Sequence, residues 1–178
     1  MSELLRLELM TEDHLADFEQ FLDDPDVLRF TRLPDPPPPG YATEWFDRCL
    51  IGRQNGTMEV FAAVAPDGTF LGIAIAPHID AEAREMELGC MVTRAARGRG
   101  VATEMLRQLT DWAFTERQVL RATVLMDVNH VASQLVAARA GYTFEGVLRS
   151  AHFKQGIRSD IQLWSRLPTD GPAGDHGD

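Results

Sequence analysis

The stretch TRAARGRGVATEML, Thr93 to Leu106, sets three arginines and two glycines in its first eight residues and then turns helical. Just before it, MELGCMV (Met86 to Val92) reads as a strand. A strand, a glycine-rich turn and a helix make an anion site. The first N–H groups of a helix have no partner within it, and the helix dipole is positive there. Gly98 and Gly100 let the backbone come close to a ligand, and Arg97 and Arg99 add charge. A phosphate or pyrophosphate is the natural guest. Two familiar phosphate loops are absent. No Gly-Lys-Ser/Thr ending follows, and GRGVAT has Thr103 where a dinucleotide fingerprint has its third glycine.

Outward from this turn the chain alternates strands and helices. LLRLELM (Leu4 to Met10) alternates apolar and charged residues as a half-buried strand does. Thr11 follows as an N-cap, with Leu15, Phe18, Phe21 and Leu22 at helical spacing, and Pro25 opens a short second helix. LPDPPPPG (Leu33 to Gly40) interrupts the pattern, either as a stiff connector or as a rim loop over a cleft. A helix is predicted over Thr43 to Leu50, with Trp45 and Phe46 inward. Two apolar runs flank Pro66-Asp67-Gly68-Thr69, a hairpin signal. Beyond the turn, Val101 to Glu116 is a helix with Met105, Leu106, Leu109, Trp112 and Ala113 on one face. Leu120 to Val128 is a strand, and Ala132 to Arg139 a helix closed by Gly141. YTFEGVL and DIQLWSRL end the series as strands.

Composition agrees with one folded domain. The chain has 178 residues, 44% apolar and 25% charged, in the ordinary globular range. Its net charge of -10 argues against nucleic acid and anionic membranes as partners and favours cationic ligands such as amines, unless it serves only solubility. Cys49 and Cys90 form no metal-ligand spacing, so no metal is expected. No run of eighteen apolar residues and no signal-peptide core is present, which makes the cytoplasm the expected location.

The run Arg97, Gly98, Arg99, Gly100, Val101, Ala102 resembles the acyl-CoA loop of the GNAT superfamily of N-acetyltransferases, Gln/Arg-x-x-Gly-x-Gly/Ala between the fourth strand and the next helix. The order of elements is similar along nearly the whole chain. NHVASQLVAARAGYTFEGVLR also resembles the ribosomal-protein N-terminal (RimJ/RimL-like) branch, with Ser133, Gly141, Tyr142, Glu145 and Gly146 in place. So do the opening residues and Asp160 before the last strand. The resemblance implies an α/β (α+β) single domain over residues 1–168, a mixed, mostly antiparallel sheet of about seven strands flanked by helices; the polar, Gly/Asp-rich composition of TDGPAGDHGD marks 169–178 as a loose tail.

It also implies acetyl-CoA as co-substrate, held by Arg97, Gly98, Arg99, Gly100, Val101, Ala102 and Thr103. The pantetheine arm is expected on the free edge of the fourth strand, with the backbone N–H groups of Met91 and Val92 facing the thioester. Such donors are worth about 3–4 kcal/mol each to an oxyanion. The branch has Asn three residues before the serine. Here that place is His130, with Asn129 one earlier, so either of them meets the pantetheine.

Two residues are expected to move protons. Glu87, on the fourth strand, takes one from the amine or is merely a rim carboxylate. Ser133 gives one to the CoA sulfur, caps the helix, or does both. Cys90 reads as a buried, inert thiol, and His152 as a surface or pocket-lining histidine. The expected function is direct N-acetylation of a primary amine, a protein or peptide N-terminus or a small amine. A non-catalytic acyl-CoA-binding domain is the alternative. Exposed strand edges make a homodimer reasonable.

Overall fold

The computed structural model describes residues 4–171. Seven strands among these residues form one sheet: β1 (Arg6–Leu9), β2 (Glu59–Val64), β3 (Phe70–Asp80), β4 (Glu85–Val92), β5 (Arg121–Asp127), β6 (Thr143–Lys154) and β7 (Ile157–Arg166). Their spatial order is β1-β2-β3-β4-β5-β7-β6, and every pairing is antiparallel except β4 with β5. Among the described residues five α-helices accompany them: α1 (Leu15–Glu19), α2 (Pro25–Phe30), α3 (Tyr41–Asn55), α4 (Val101–Thr115) and α5 (Val131–Arg139). Among the described residues no helix is long and apolar enough to cross a membrane.

Two apolar cores lie on opposite faces of the sheet. Because side chains alternate along a strand, β4 sends Met86 and Leu88 to the core beneath α4 and α5, with Met105, Leu109 and Ala137. Glu87, Gly89 and Met91 turn to the other face, where α1 to α3 bury Phe18, Phe21, Trp45 and Phe46. Phe18 stacks on Trp45 at 4.2 Å between ring centroids. The expected hairpin at Pro66–Thr69 closes with Ala65 N–H donating to Thr69 C=O at 2.8 Å.

Three boundaries depart from the sequence reading. Helix α3 is longer at both ends than expected, from Gly40 as N-cap to Gly56 as C-cap. Strand β6 runs on to Lys154, so that Lys154 to Ile157 form a tight hairpin tip with Gln155 and Gly156 both at positive φ. The expected tail begins as a 3-10 turn over Pro168–Asp170, with Arg166 donating to the Gly171 carbonyl at 2.9 Å. Residues 172–178 lie outside the described residues.

Candidate active site

β4 and β5 are paired only through Glu85–Arg121, Met86–Ala122 and Glu87–Thr123. Beyond that point β4 is held by β3 as far as Val92, and β5 by β7 as far as Asp127. Each strand is captured by its outer neighbour, and the two part. The closed end is fastened by Arg121, which reaches Glu85 at 3.3 Å and Glu145 at 2.6 Å. Glu145 therefore serves the fold, and its partners Arg121 and Ser165 hold its carboxyl down to about 2. Thr123 Oγ1 adds a bond to the Met86 carbonyl at 3.3 Å. The open end is a cavity of about 520 Å³.

Along this gap β4 presents an unpaired edge. Thr93 N–H donates to the Leu71 carbonyl at 2.9 Å, and antiparallel bonds alternate along a strand. Met91, opposite Ile73, therefore has its N–H in the ladder with β3. The N–H groups of Val92 and Cys90 face the gap. The sequence reading expected both Met91 and Val92 there; the alternation leaves Val92 and brings in Cys90.

After Val92 the chain makes a 3-10 turn over Arg94–Ala96 and reaches Gly98 at φ +74° and Gly100 at φ +78°. Both are in the left-handed region that favours glycine. A Cβ at either would meet no atom within 4 Å, so the space before the turn is open. Gly100 caps α4, and the first bond into the helix is Glu104 N–H to Gly100 C=O at 3.0 Å. Val101, Ala102 and Thr103 therefore point N–H groups without helical partners at that space. The Thr103 side chain itself is buried.

Arg97 departs from its expected role as a phosphate ligand. Its Nη2 lies 2.6 Å from Asp24 Oδ2 and its Nη1 3.4 Å from Asp26 Oδ2, while Nε donates to the Val92 carbonyl at 3.2 Å. Asp24 is 5% exposed and also caps α2 by accepting from the N–H groups of Asp26 and Val27. Burial raises its pKa, but the bonds from Arg97 and these two N–H groups outweigh that and hold it below the usual carboxylate range. Arg97 is a strut between α2 and the end of β4. Arg99 has no such partner among the described residues.

On the β5 side, His130 and Ser133 line the cavity. His130 stacks on Phe30 with 4.1 Å between ring centroids, and its Nδ1 lies 2.8 Å from Ser133 Oγ. Burial lowers the His130 pKa. Asn129 does not join them. Its N–H and its side chain both donate to Asp127 Oδ1, at 2.8 and 3.0 Å, in a short turn that leaves it exposed. Of the two residues offered for the pantetheine, the structure brings only His130 to the cavity. Ser133 is not the helix cap either. His130 is the N-cap of α5 and Ser133 the third helical residue.

On the other face Glu87 lines the cavity with Arg32, Nη2 to Oε1 at 3.1 Å. Arg29, Phe30, Tyr41, Trp45 and Arg48 complete that wall, and His152 lines the same cavity. The β6–β7 tip braces the wall. Lys154 donates to the carbonyls of Leu28 and Thr31 at the end of α2, and Gln155 to that of Asp35. Burial pushes the Lys154 pKa down. The sequence reading missed Arg29, Arg32, Arg48 and Lys154, and no local pattern marks them. Cys90, expected to be buried, is half-buried and lines the cavity, with its thiol pushed up to about 12 by burial. Tyr142 is buried against Thr110, Oγ1 to hydroxyl at 2.7 Å, and does not line the cavity.

The sequence profile of the acetyltransferase (GNAT) domain matches residues 5–143. The chain belongs to the GNAT acetyltransferase family. It is an N-acetyltransferase that takes its acetyl group from acetyl-CoA. Among GNAT relatives, YdaF of Bacillus subtilis (strain 168), named as a ribosomal N-acetyltransferase, is 26% identical over 167 residues, 92% of this chain and 84% of its own. The GNAT fold is shared with RimL, a ribosomal L7/L12 alpha-N-protein acetyltransferase solved with coenzyme A, at a TM-score of 0.85 and 18% identity, over 93% of this chain and 95% of that one. A spermidine N-acetyltransferase from Vibrio cholerae, solved with CoA and spermine, has a TM-score of 0.81 at 15% identity, over 92% and 95%.

Proposed function

We propose that this enzyme acetylates the N-terminal amine of a protein or peptide, by direct attack on acetyl-CoA in the gap between β4 and β5. One observation carries the reading: β4 ends in an unpaired edge that leads straight into the bare N-terminus of a fifteen-residue helix. An extended arm ending in a pyrophosphate fits that path, the arm adding to the strand edge and the phosphates meeting the N–H groups of Val101, Ala102 and Thr103. Gly98 and Gly100 keep the approach open, and the Arg99 side chain adds charge. Acetyl-CoA supplies the thioester and a thiolate leaving group. The Val92 N–H, where the edge ends, orients the carbonyl.

Two proton paths complete the reaction. Glu87 accepts the proton of the incoming amine, directly or through water. An α-amine, titrating near ~8, needs less help than a lysine near ~10.4. Ser133 donates to the leaving sulfur. For that its own oxygen must accept, which calls for the His130 tautomer with a proton on Nδ1. The chain His130 Nδ1–H to Ser133 Oγ–H to sulfur acts as hydrogen bonds that steady the leaving thiolate without either residue ionising, and the proton the sulfur keeps is the second one lost by the attacking amine. The names of YdaF and RimL support a ribosomal-protein acceptor, and with it a cytoplasmic enzyme. A homodimer belongs to the same proposal, supported by apolar residues exposed along edge strand β6, Phe144, Val147 and Phe153 among them.

The test is an acetyl-CoA assay that reads released CoA with a thiol dye. Peptides with free N-termini should turn over, while N-blocked peptides bearing lysine should not. Glu87→Gln should lower kcat and kcat/KM together by about 10²–10⁴-fold at unchanged CoA affinity. Turnover of blocked lysine peptides at the same rate would replace the α-amine by a side-chain amine. A Glu87→Gln enzyme with the parent rate across pH would reduce Glu87 to a rim carboxylate.

A further inference from the structure

The net charge of -10 favours cations at long range, yet the mouth of the cavity carries the opposite sign. Three arginines line it, Arg29, Arg32 and Arg48, against two carboxylates, Glu87 and Asp127. Only Glu87 is ion-paired. Glu87 is paired with Arg32 at 3.1 Å, and Asp127 accepts from the Asn129 N–H and side chain. Two of the arginines, by contrast, have no carboxylate within ion-pair distance among the described residues: Arg29 and Arg48. Each is seated on a ring of the same wall, Arg29 over Phe30 at 4.8 Å and Arg48 over Tyr41 at 5.2 Å. Stacking fixes a guanidinium's plane and leaves its N–H edge for an acceptor oxygen.

We infer that the acceptor carries a carboxylate next to its reacting amine: it is a protein N-terminus with Asp or Glu at its first or second position. This rests on the reading of the cavity as the site of N-terminal acetylation. The spacing comes from the Glu87–Arg32 pair. An incoming ammonium takes the place of the guanidinium on Glu87 before giving up its proton. Arg32 is released one ion-pair length away, and its natural new partner is an anion of the same acceptor. Arg29 and Arg48 extend that positive ground. A polyamine is disfavoured by the same inventory, since its further ammonium groups would meet three arginines against Asp127 as the one carboxylate without a cation partner among the described lining residues.

The experiment compares peptides of one length that begin Ser-Glu, Ser-Gln or Ser-Lys and are otherwise neutral, with free glutamate and spermidine beside them, each with the full chain and acetyl-CoA. The expected order of kcat/KM is Ser-Glu above Ser-Gln above Ser-Lys. About fivefold is expected per step, the scale of a partly exposed ion pair, and it should shrink as salt is raised. In the Arg29→Gln, Arg48→Gln double variant the ratio of Ser-Glu to Ser-Gln should fall toward one, and the Ser-Lys penalty should fall with it. Equal rates on Ser-Glu and Ser-Gln peptides in the parent enzyme would overturn this inference and leave N-terminal acetylation standing. Free glutamate preferred over every peptide would overturn the protein acceptor and keep the carboxylate. Spermidine turned over while no peptide is would overturn both.

Discussion

The two walls of the cavity are made of different materials. Along β4 and the turn into α4, the groups that face the gap belong to the backbone: N–H groups of Cys90 and Val92, and those of Val101 to Thr103 beyond two glycines at positive φ. Along α2, the segment after it and α3, they are long side chains, Arg29, Arg32 and Arg48, braced from behind by the β6–β7 tip. Backbone groups are common to every residue type and are placed by the sheet and the helix, so that wall suits a ligand that never changes. Side chains differ from protein to protein, and that wall suits the partner that does. In one family, relatives that share this fold are named for ribosomal-protein and spermidine acceptors.

Gly100→Glu should separate the walls most sharply. Its Cβ would touch no protein atom, so the cost to the fold is the left-handed backbone alone, about 1–2 kcal/mol. A carboxylate would then stand before the helix N-terminus, where an anion is to bind. CoA affinity measured by calorimetry should fall by at least about a hundredfold, ~2.7 kcal/mol, with a modest drop in Tm. An unchanged affinity would remove the turn from the cofactor wall.

Arg97 joins the walls, and a double-mutant cycle tests that. Arg97→Ala leaves buried Asp24 with only the longer, exposed Arg94 contact at 3.6 Å and should cost about 2 kcal/mol of stability, or roughly 4–8 °C in Tm for a chain of this size. Asp24→Asn should cost a similar amount, and the double variant little more than either. Were Arg97 instead a phosphate ligand held in reserve, Asp24→Asn would free it and tighten CoA binding.

The smallest effect is expected at Ser133. Since it does not cap α5, Ser133→Ala should melt close to the parent, while kcat falls about tenfold, ~1.4 kcal/mol. An unchanged rate would mean that the thiolate leaves without a hydrogen bond from Ser133. The relay also has a pH signature. Burial, helped by Arg97 and Arg29 and opposed by Asp127 and Asp26, holds the His130 pKa below the ordinary value of 6.5. The folded protein thus favours the neutral ring. The stability this gives is full above about 6.5 and is lost as pH falls through the lowered folded value. The acid limb of kcat should lie below that of a free imidazole, and an NMR titration of the ring should show the same midpoint.

Much of this molecule was legible in its sequence, and the split follows the two walls. The turn Arg97–Thr103 could be read because a strand edge, two glycines and a helix start are local features, each set by neighbours a few residues away. The hairpin at Pro66–Thr69 and the face of α4 were legible for the same reason. Met91 was misplaced because the direction of an N–H depends on register with β3, which only the ladder fixes. Asn129 and His130 could not be told apart, since Asp127, two residues away, draws one of them off into a turn.

The sequence by itself determined the glycine turn and helix start of the backbone wall, the order of strands and helices, and the chemistry of a strand-turn-helix anion site. Tertiary structure alone decided the rest. Arg32 meets Glu87 across 55 positions of chain, Arg97 meets Asp24 across 73, and Lys154 meets the end of α2 across 123 or more. A local pattern reports spacings of two, three and four residues, because those are the periods of strands and helices. Contacts between distant segments carry no such period. They arise only when β4 and β5 part and the helices on either face close over the gap.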